Sequence, residues 1–374
     1  MTVLAVPRRL RRSDGVLAAA VLALTALGTL LVWSATRPRL LAGGLDPQAF
    51  LKRHLLNIAV GVACCLITAT VDYRRLRAYA PLVYLASCAG LVAVLLIGTT
   101  VNGAHSWIVV GGGFQLQPAE FAKIGLVLGL AAALGERRDT APRGADLPMV
   151  LALAAVPTAL VMLQPDFGST VILGAAFLGV LATSGAPARW LSGLLLAGLL
   201  GAVLAVHLGA LQSYQVDRFR AFADPSADAQ GAGYNTHQAR IAIGAGGLTG
   251  TGLFKGSQTN GQFVPEQQTD FVFTVAGEEL GLLGGGALIA LVGVILWRGT
   301  SIAARAPDLF GRLVATGVVA WLALQSFINI GMTLGIMPVT GLPLPFVSYG
   351  GSAMFANLMA VGLLQNIHLH SAAR

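Results

Sequence analysis

Glu120 and Lys123 stand three residues apart in an otherwise apolar run. On a helix that spacing puts both side chains on one face, where they can pair. Ionisable groups in a membrane segment are costly and usually functional; here a substrate contact and a structural ion pair are both open. Asp166 sits in Gln164-Pro-Asp-Phe-Gly168, where proline and glycine force a tight turn. Its carboxylate can cap the following helix or line a site. Asp270, in Pro265-Glu-Gln-Gln-Thr-Asp-Phe271, has the same two readings, because the macrodipole favours Asp at a helix start with no catalytic purpose. Glu278 and Glu279 follow two turns later, where adjacent carboxylates need partners or protonation. The cations that could meet these acids or a phosphate are Lys52, Arg53, Arg218, Arg220, Arg240 and Lys255, and arginine suits a diphosphate through paired hydrogen bonds. Trp107, in the 102–117 loop, has the amphipathic ring of an interfacial anchor.

The elements that must carry these groups are set by composition. Of 374 residues, 55% are hydrophobic and 11% charged, against about 25% charged in soluble domains. The solvent is therefore lipid. Disorder is excluded by the same figures, and Cys64, Cys65 and Cys88 are too few, and too deep in apolar runs, for a disulfide framework. The net charge of +8 shows no basic stripe interleaved with aromatics, so nucleic acid is not expected as a partner. A bilayer-crossing helix needs about 20 mostly apolar residues. Ten runs supply them: 16–35, 55–71, 79–97, 119–134, 147–163, 168–183, 191–210, 271–297, 313–334 and 352–367. The first follows Arg8, Arg9, Arg11 and Arg12, and its length and lack of a small-residue cleavage site favour a retained signal anchor. The fold class is thus an all-α integral membrane protein of about ten transmembrane helices, one polytopic domain over 1–374. Residues 1–15 form a cytoplasmic arm, and a large extracytoplasmic loop, 211–270, joins helices 7 and 8.

Ten spans put both termini on one side, and the arginine-rich start makes that side cytoplasmic. The predicted inner segments hold 15 of the 24 lysines and arginines, while ten of the 16 acids fall in outer loops or outer helix ends. The chemistry should face outward. Within the long loop, 234–243 reads as a short amphipathic helix on the membrane surface, ended by the glycine cluster 244–252, which lacks a nucleotide-binding fingerprint. Those glycines make the loop costly to order alone, so anything that orders it can position Asp270. Residues 335–351 are uncharged and rich in glycine and proline, with the stiffness of a re-entrant wall. This inventory describes an outward-facing, partly polar cavity for an anionic, amphiphilic ligand. It does not choose between enzyme and transporter.

Six blocks now resemble one family, the shape, elongation, division and sporulation (SEDS) proteins. They are Trp107-Ile with Gln117-Pro-Ala-Glu-Phe-Ala-Lys123, Gln164-Pro-Asp-Phe-Gly168, Tyr234-Asn with Gln238-Ala-Arg-Ile-Ala-Ile243, Pro265-Glu with Thr269-Asp-Phe271, Gly277-Glu-Glu-Leu-Gly281 and Phe346-Val-Ser-Tyr-Gly-Gly351. The wording of 327–332 and 338–345 looks more like the elongation (RodA-like) members than the division members. The resemblance implies a peptidoglycan glycosyltransferase of the bacterial cytoplasmic membrane that polymerises lipid II with a class B penicillin-binding protein. It makes Asp270 the general base toward the acceptor 4-hydroxyl, in one inverting displacement that expels undecaprenyl diphosphate. It also puts Glu120, Lys123 and Asp166 in a central cavity, and these three with Trp107 are the candidates for binding substrate there. Arg53, Arg218 and Arg220 are the candidates, on charge, for the diphosphate. No cofactor is evident; a divalent cation, Mg or Mn, could neutralise the leaving diphosphate, although no metal-ligand spacing is readable. Gln268, Ala119, Ala353 and Ser106 depart from common family residues, yet none removes a carboxylate. A lipid II flippase and a scaffold for the penicillin-binding protein are the alternatives. Acids that stop near the outer face favour the enzyme.

Overall fold

The computed structural model describes residues 13–101, 104–111, 114–135, 144–208, 213–223 and 232–371. Its helices are α1 (Gly15–Ala42), α2 (Ala49–Thr70), α3 (Tyr73–Ile97), α4 (Pro118–Gly135), α5 (Leu147–Met162), α6 (Phe167–Thr183), α7 (Ala188–His207), α8 (Ser213–Ala223), α9 (Ala232–Gly246), α10 (Ser257–Asn260), α11 (Val272–Glu279), α12 (Gly281–Ala304), α13 (Leu309–Leu334) and α14 (Gly351–Ser371). Each of the ten apolar runs holds a helix among the described residues. Seven helices, α1 to α5 with α12 and α13, are long and apolar enough to cross a bilayer. Of the remaining runs, α6 and α7 are shorter apolar helices, and α14 carries Asn357, Gln365 and Asn366.

α4 is the axis of the bundle. A helix apolar on every side is one that is buried on every side, and α4 is buried along nearly its whole length. Close approach of α3 is made possible by Gly125 and Gly129, one small residue per turn. A Cβ at Gly125 would stand 2.1 Å from Ser87 Oγ, and one at Gly129 would stand 2.9 Å from the Tyr84 ring. α2 and α14 run side by side in the same direction: Asn57 lies by Gly351, Gly61 by Met354, and Asn366 donates to the carbonyls of Thr68, Ala69 and Val71.

One end of the bundle is locked by charge and amide pairs. Asp14 caps α1 through the Leu17 N–H and accepts from Arg298 Nε at 2.8 Å, while Gln365 exchanges two hydrogen bonds with the Asp14 main chain. Nearby, Arg77 Nη2 donates to the Gly135 carbonyl that ends α4, at 2.8 Å. The start of α1, the end of α12 and the end of α14 therefore share this face. Arg8, Arg9, Arg11, Arg12, Arg137, Arg138, Arg143, Arg374, Asp224 and Asp228, expected on one side or the other, lie outside the described residues.

Three expectations change. First, the 102–117 loop is largely strand: β1 (Thr99–Val101), β2 (Ala104–Gly111) and β3 (Phe114–Leu116) form a small antiparallel sheet in the order β1-β2-β3 on an otherwise helical fold. Second, the 271–297 span breaks into α11 and α12 at Gly281, whose φ is +67°. The break is filled by the glycine cluster: Leu282 and Leu283 donate to the carbonyls of Gly247 and Leu248, and Thr251 and Gly252 donate to those of Glu278 and Glu279. Third, the amphipathic helix exists as α9, but its inner face packs on protein. Ala239, Ala242 and Gly246 are buried, and a Cβ at Gly246 would stand 1.9 Å from the Gly277 carbonyl oxygen. The glycine cluster that ends it is a docked segment.

Residues 336–350 descend into the bundle. A Cβ at Gly28, the fourteenth of the 28 residues of α1, would stand 2.6 Å from the Val347 main chain, which places the segment at mid-depth. Irregular backbone at that depth needs internal partners. The buried amides of α13 supply them: Gln325 Nε2 donates to the Pro343 carbonyl at 2.9 Å and Asn329 Nδ2 to that of Leu342 at 2.7 Å.

Candidate active site

A cavity of about 760 Å³ opens at the end of the bundle opposite Arg298, a size typical of ligand sites. α2 contributes Arg53 and Asn57, the sheet Ser106, Trp107 and Gln115, α4 Glu120, the start of α6 Asp166, and α8 Arg218. The turn before α11 contributes Glu266 and Asp270, the re-entrant segment residues 338–343, and the start of α14 Gly350 to Ala353.

Asp270 is held by a turn closed on the Glu266 carbonyl, which accepts from the N–H groups of Thr269, Asp270 and Phe271 at 3.2, 3.1 and 3.4 Å. The helix it precedes is capped at Phe271 with no side-chain hydrogen bond, so Asp270 does not cap α11. Its carboxylate instead faces the cavity near Gly341, where a Cβ would stand 3.5 Å from Asp270 Oδ2 and 4.0 Å from Arg218 Nη1. Glycine at 341, with φ +73°, lets the main chain come this close. Burial, followed by the neighbouring Glu266 charge, pushes the Asp270 pKa from 3.8 up to about 6, against the opposing effects of Arg218 and Thr269.

Glu120 and Lys123 do pair, Oε2 to Nζ at 2.7 Å, with both side chains 1% exposed. Lys123 also donates to Gln325 Oε1 at 3.0 Å and lies 5.0 Å from the centre of the Trp321 ring. Glu120 lines the cavity, whereas Lys123, one turn deeper, does not, so the expectation of a direct Lys123 contact with substrate is corrected to a buried partner of Glu120. Asp166 performs both of its roles. It caps α6 through the Ser169 N–H at 2.9 Å, accepts from Ser169 Oγ at 2.7 Å and from Gln117 Nε2 at 3.1 Å, and still lines the cavity. Trp107 reaches the cavity from β2.

Of the three arginines, Arg53 and Arg218 line the cavity and Arg220 is exposed outside it. Positions two apart on a helix do not share a face, so Arg218 and Arg220 on α8 cannot both reach one site. Glu278 and Glu279 are structural. The Glu278 carboxylate accepts from the N–H groups of Gln258 and Thr259 at 2.7 and 2.9 Å, and Glu279 Oε1 accepts from Ser34 Oγ at 2.6 Å. Asn57, Ser106, Asn235, Glu266 and Tyr349 also line the cavity or its rim, and sequence reasoning passed over them as site residues. Two signals pointed there: Asn57 follows Arg53 by four on one helix face, and Asn102-Gly103 between strand-like runs is a hairpin dipeptide. No group of three His, Cys, Asp or Glu among the described residues could hold a metal ion.

A family model described as cell cycle protein, covering FtsW, RodA and SpoVE, matches residues 15–373. The peptidoglycan glycosyltransferase MrdB of Escherichia coli K12 is 38% identical over 351 residues, 94% of this chain and 92% of its own. Stage V sporulation protein E of Bacillus subtilis 168 is 37% identical over 363 residues, 96% and 97% respectively. Among solved structures, a chain of a peptidoglycan synthase complex, described for its coordination of polymerization and crosslinking, aligns with a TM-score of 0.78 at 32% identity over 97% of this chain and 99% of that one. The rod shape determining protein RodA of Thermus thermophilus aligns with a TM-score of 0.71 at 32% identity over 95% and 96%.

Proposed function

This chain belongs to the FtsW/RodA/SpoVE family and is a multi-pass membrane peptidoglycan glycosyltransferase; on that basis we propose that its cavity polymerises lipid II with Asp270 as general base. The observation that carries the reading is the Asp270 carboxylate itself: it is excused from capping, turned to the cavity, and its pKa is raised to about 6. At neutral pH such a base is mostly ionised yet binds a proton more strongly than an ordinary aspartate.

The donor is an α-linked glycosyl diphosphate lipid. The acceptor 4-hydroxyl oxygen attacks the donor's anomeric carbon from the face opposite the diphosphate, and the new β-1,4 bond forms as the carbon–oxygen bond to phosphate breaks. The hydroxyl proton passes to Asp270, and the electron pair leaves with undecaprenyl diphosphate. Asp166 and Gln117 form one hydrogen-bonded unit on the cavity wall, positioned to orient sugar hydroxyls. Trp107 offers an aromatic face to a sugar ring.

The cavity lining supports an enzyme over a flippase. Past Glu120 the cavity gives way to the Lys123, Gln325 and Trp321 cluster and then to the packed apolar part of α4. A flippase needs polar groups along the whole depth. Identities of 38, 37 and 36% to relatives named MrdB, stage V sporulation protein E and FtsW do not separate the branches; the elongation role rests on the wording of 327–332 and 338–345. The partner in this reading is a class B penicillin-binding protein. The membrane is the bacterial cytoplasmic membrane, with the Arg298 face inward and the cavity outward. Purified protein, lipid II and the partner, assayed for glycan chains with wild-type protein and with Asp270→Asn, test the proposal. Glycan from the Asn variant at the wild-type rate would remove Asp270 from the chemistry.

A further inference from the structure

α14 begins inside the cavity and not at its rim. Its first residue, Gly351, lies beside Asn57: a Cβ there would stand 3.3 Å from Asn57 Oδ1. Asn57 is eight residues beyond Ala49 at the start of α2, so at 1.5 Å per residue this helix end sits about 12 Å below that start. The Met354 N–H makes the opening bond of the helix, to the Gly350 carbonyl at 3.1 Å. The N–H groups of Gly351, Ser352 and Ala353, all cavity-lining residues, meet no acceptor among the described residues. Open donors at the start of a 21-residue helix, with the positive end of its dipole, form an anion-binding surface.

A second feature points to a ligand in the same place. Asn57 is 4% exposed, lines the cavity, and its Oδ1 has no hydrogen-bond partner among the described residues. A buried amide of this kind is satisfied by what enters the cavity, and by rotation about χ2 it can present its two donors instead of its acceptor. One turn earlier on the same face, Arg53 also lines the cavity, with its guanidinium against the Tyr349 hydroxyl. The Tyr349 N–H in turn donates to the Gln268 carbonyl at 2.8 Å, tying this end of α14 to the turn that carries Asp270.

We infer that the N-terminus of α14, with Arg53 and Asn57, is the subsite that holds the phosphates of the diphosphate-linked lipid. The inference rests on the glycosyltransferase reading and gives its leaving group a location. It also divides the arginines: Arg53 serves the diphosphate, whereas Arg218 stands with Asp270 beside Gly341. Glycine at 350 and 351 keeps the main-chain donors open to phosphate oxygens, much as glycine does where backbone must approach a phosphate closely.

The test uses the full chain in lipid nanodiscs, with undecaprenyl diphosphate, inorganic pyrophosphate and undecaprenol as probes. In wild-type protein, undecaprenyl diphosphate should protect the amides of residues 351–353 from hydrogen exchange, and undecaprenol should not. Asn57→Asp, which sets a like charge against the phosphates, and Gly351→Ala, which narrows the approach, should each weaken undecaprenyl diphosphate binding about tenfold or more. Because the exchange arm needs no variant, a misfolded substitution cannot mask the answer. Saturating lipid without protection at 351–353, or unchanged affinity in both variants, overturns the subsite and leaves the glycosyltransferase standing. Protection by pyrophosphate but not by the lipid overturns the lipid assignment. Wild-type protein that neither binds the diphosphate lipid nor polymerises lipid II overturns both readings.

Discussion

Asn329 holds Asp270 by its main chain. From α13 its Nδ2 donates to the Asp270 carbonyl at 2.8 Å and to the Leu342 carbonyl at 2.7 Å, so one fully buried amide fixes both the base-bearing turn and the re-entrant wall facing it. Asn329→Asp keeps the shape and removes both donors. Loss of buried hydrogen bonds of this kind costs roughly 1 to 3 kcal/mol, and a small misplacement of the base costs about 100-fold in rate. The expected result is a lower kcat with KM nearly unchanged, since Asn329 does not line the cavity. A fall in KM affinity with an intact kcat would mean that it acts on substrate binding.

Asp270→Asn should lower polymerisation by about 100 to 10,000-fold and should raise stability at neutral pH. The sign follows from the shift. Folding raises the Asp270 pKa from 3.8 to about 6, so the native state holds this proton more tightly than the unfolded chain. The resulting stabilisation is complete below pH 3.8 and lost as pH rises through 6. At pH 7.5 the ionised carboxylate is a liability on the order of 1 to 3 kcal/mol that the amide does not carry. Melting of both proteins at pH 7.5 and below pH 4 checks this, with the Asn advantage expected only at the higher pH. Activity of the wild type should fall with acidification through the same region.

Glu120 and Lys123 should be coupled in stability. Both are buried, so Glu120→Ala or Lys123→Ala leaves an uncompensated charge, at a cost of about 3 to 5 kcal/mol. Glu120→Ala with Lys123→Ala should lose less than the sum of the singles by roughly 1 to 3 kcal/mol. A double-mutant cycle on thermal melting that came out additive would separate the two charges. Activity should fall most wherever Glu120 is missing, because only it faces the cavity.

The glycine cluster offers a paired comparison. A Cβ at Gly250, where φ is +84°, would stand 2.1 Å from the Glu279 carbonyl oxygen, whereas one at Gly244 meets nothing within 4 Å. Gly250→Ala should therefore undock the segment from α11, lowering both the melting temperature and glycan synthesis. Gly244→Ala, on the open face of α9, should be neutral or stabilising by about 0.5 to 1 kcal/mol. Equal effects of the two would show that the cluster acts as flexible chain.

Much of the protein was legible in the sequence, because lipid imposes strict local rules. A chain that is 11% charged must satisfy its backbone within helices, and each apolar run holds a helix among the described residues. The i,i+3 spacing of Glu120 and Lys123 fixed their pairing, and the motifs around Asp166 and Asp270 placed both at helix starts beside the cavity. These are properties of short stretches, which periodicity and local turns decide.

What only the tertiary structure decided is which of these residues share a space. Asp166 caps its helix and Asp270 does not: Phe271 holds the N-cap position of α11, while the Asp270 carbonyl accepts from Asn329, 59 positions away. Lys123 turned out to serve Glu120 and Gln325, Arg220 to point away from Arg218, and Glu278 and Glu279 to anchor 254–260. The span break at Gly281 depends on the segment at 247–252 docking there. Each outcome follows from contacts between segments that are distant in the chain. A residue's spacing sets the face it occupies, but the cost of burying its polar atoms is settled by whatever partner the fold brings opposite.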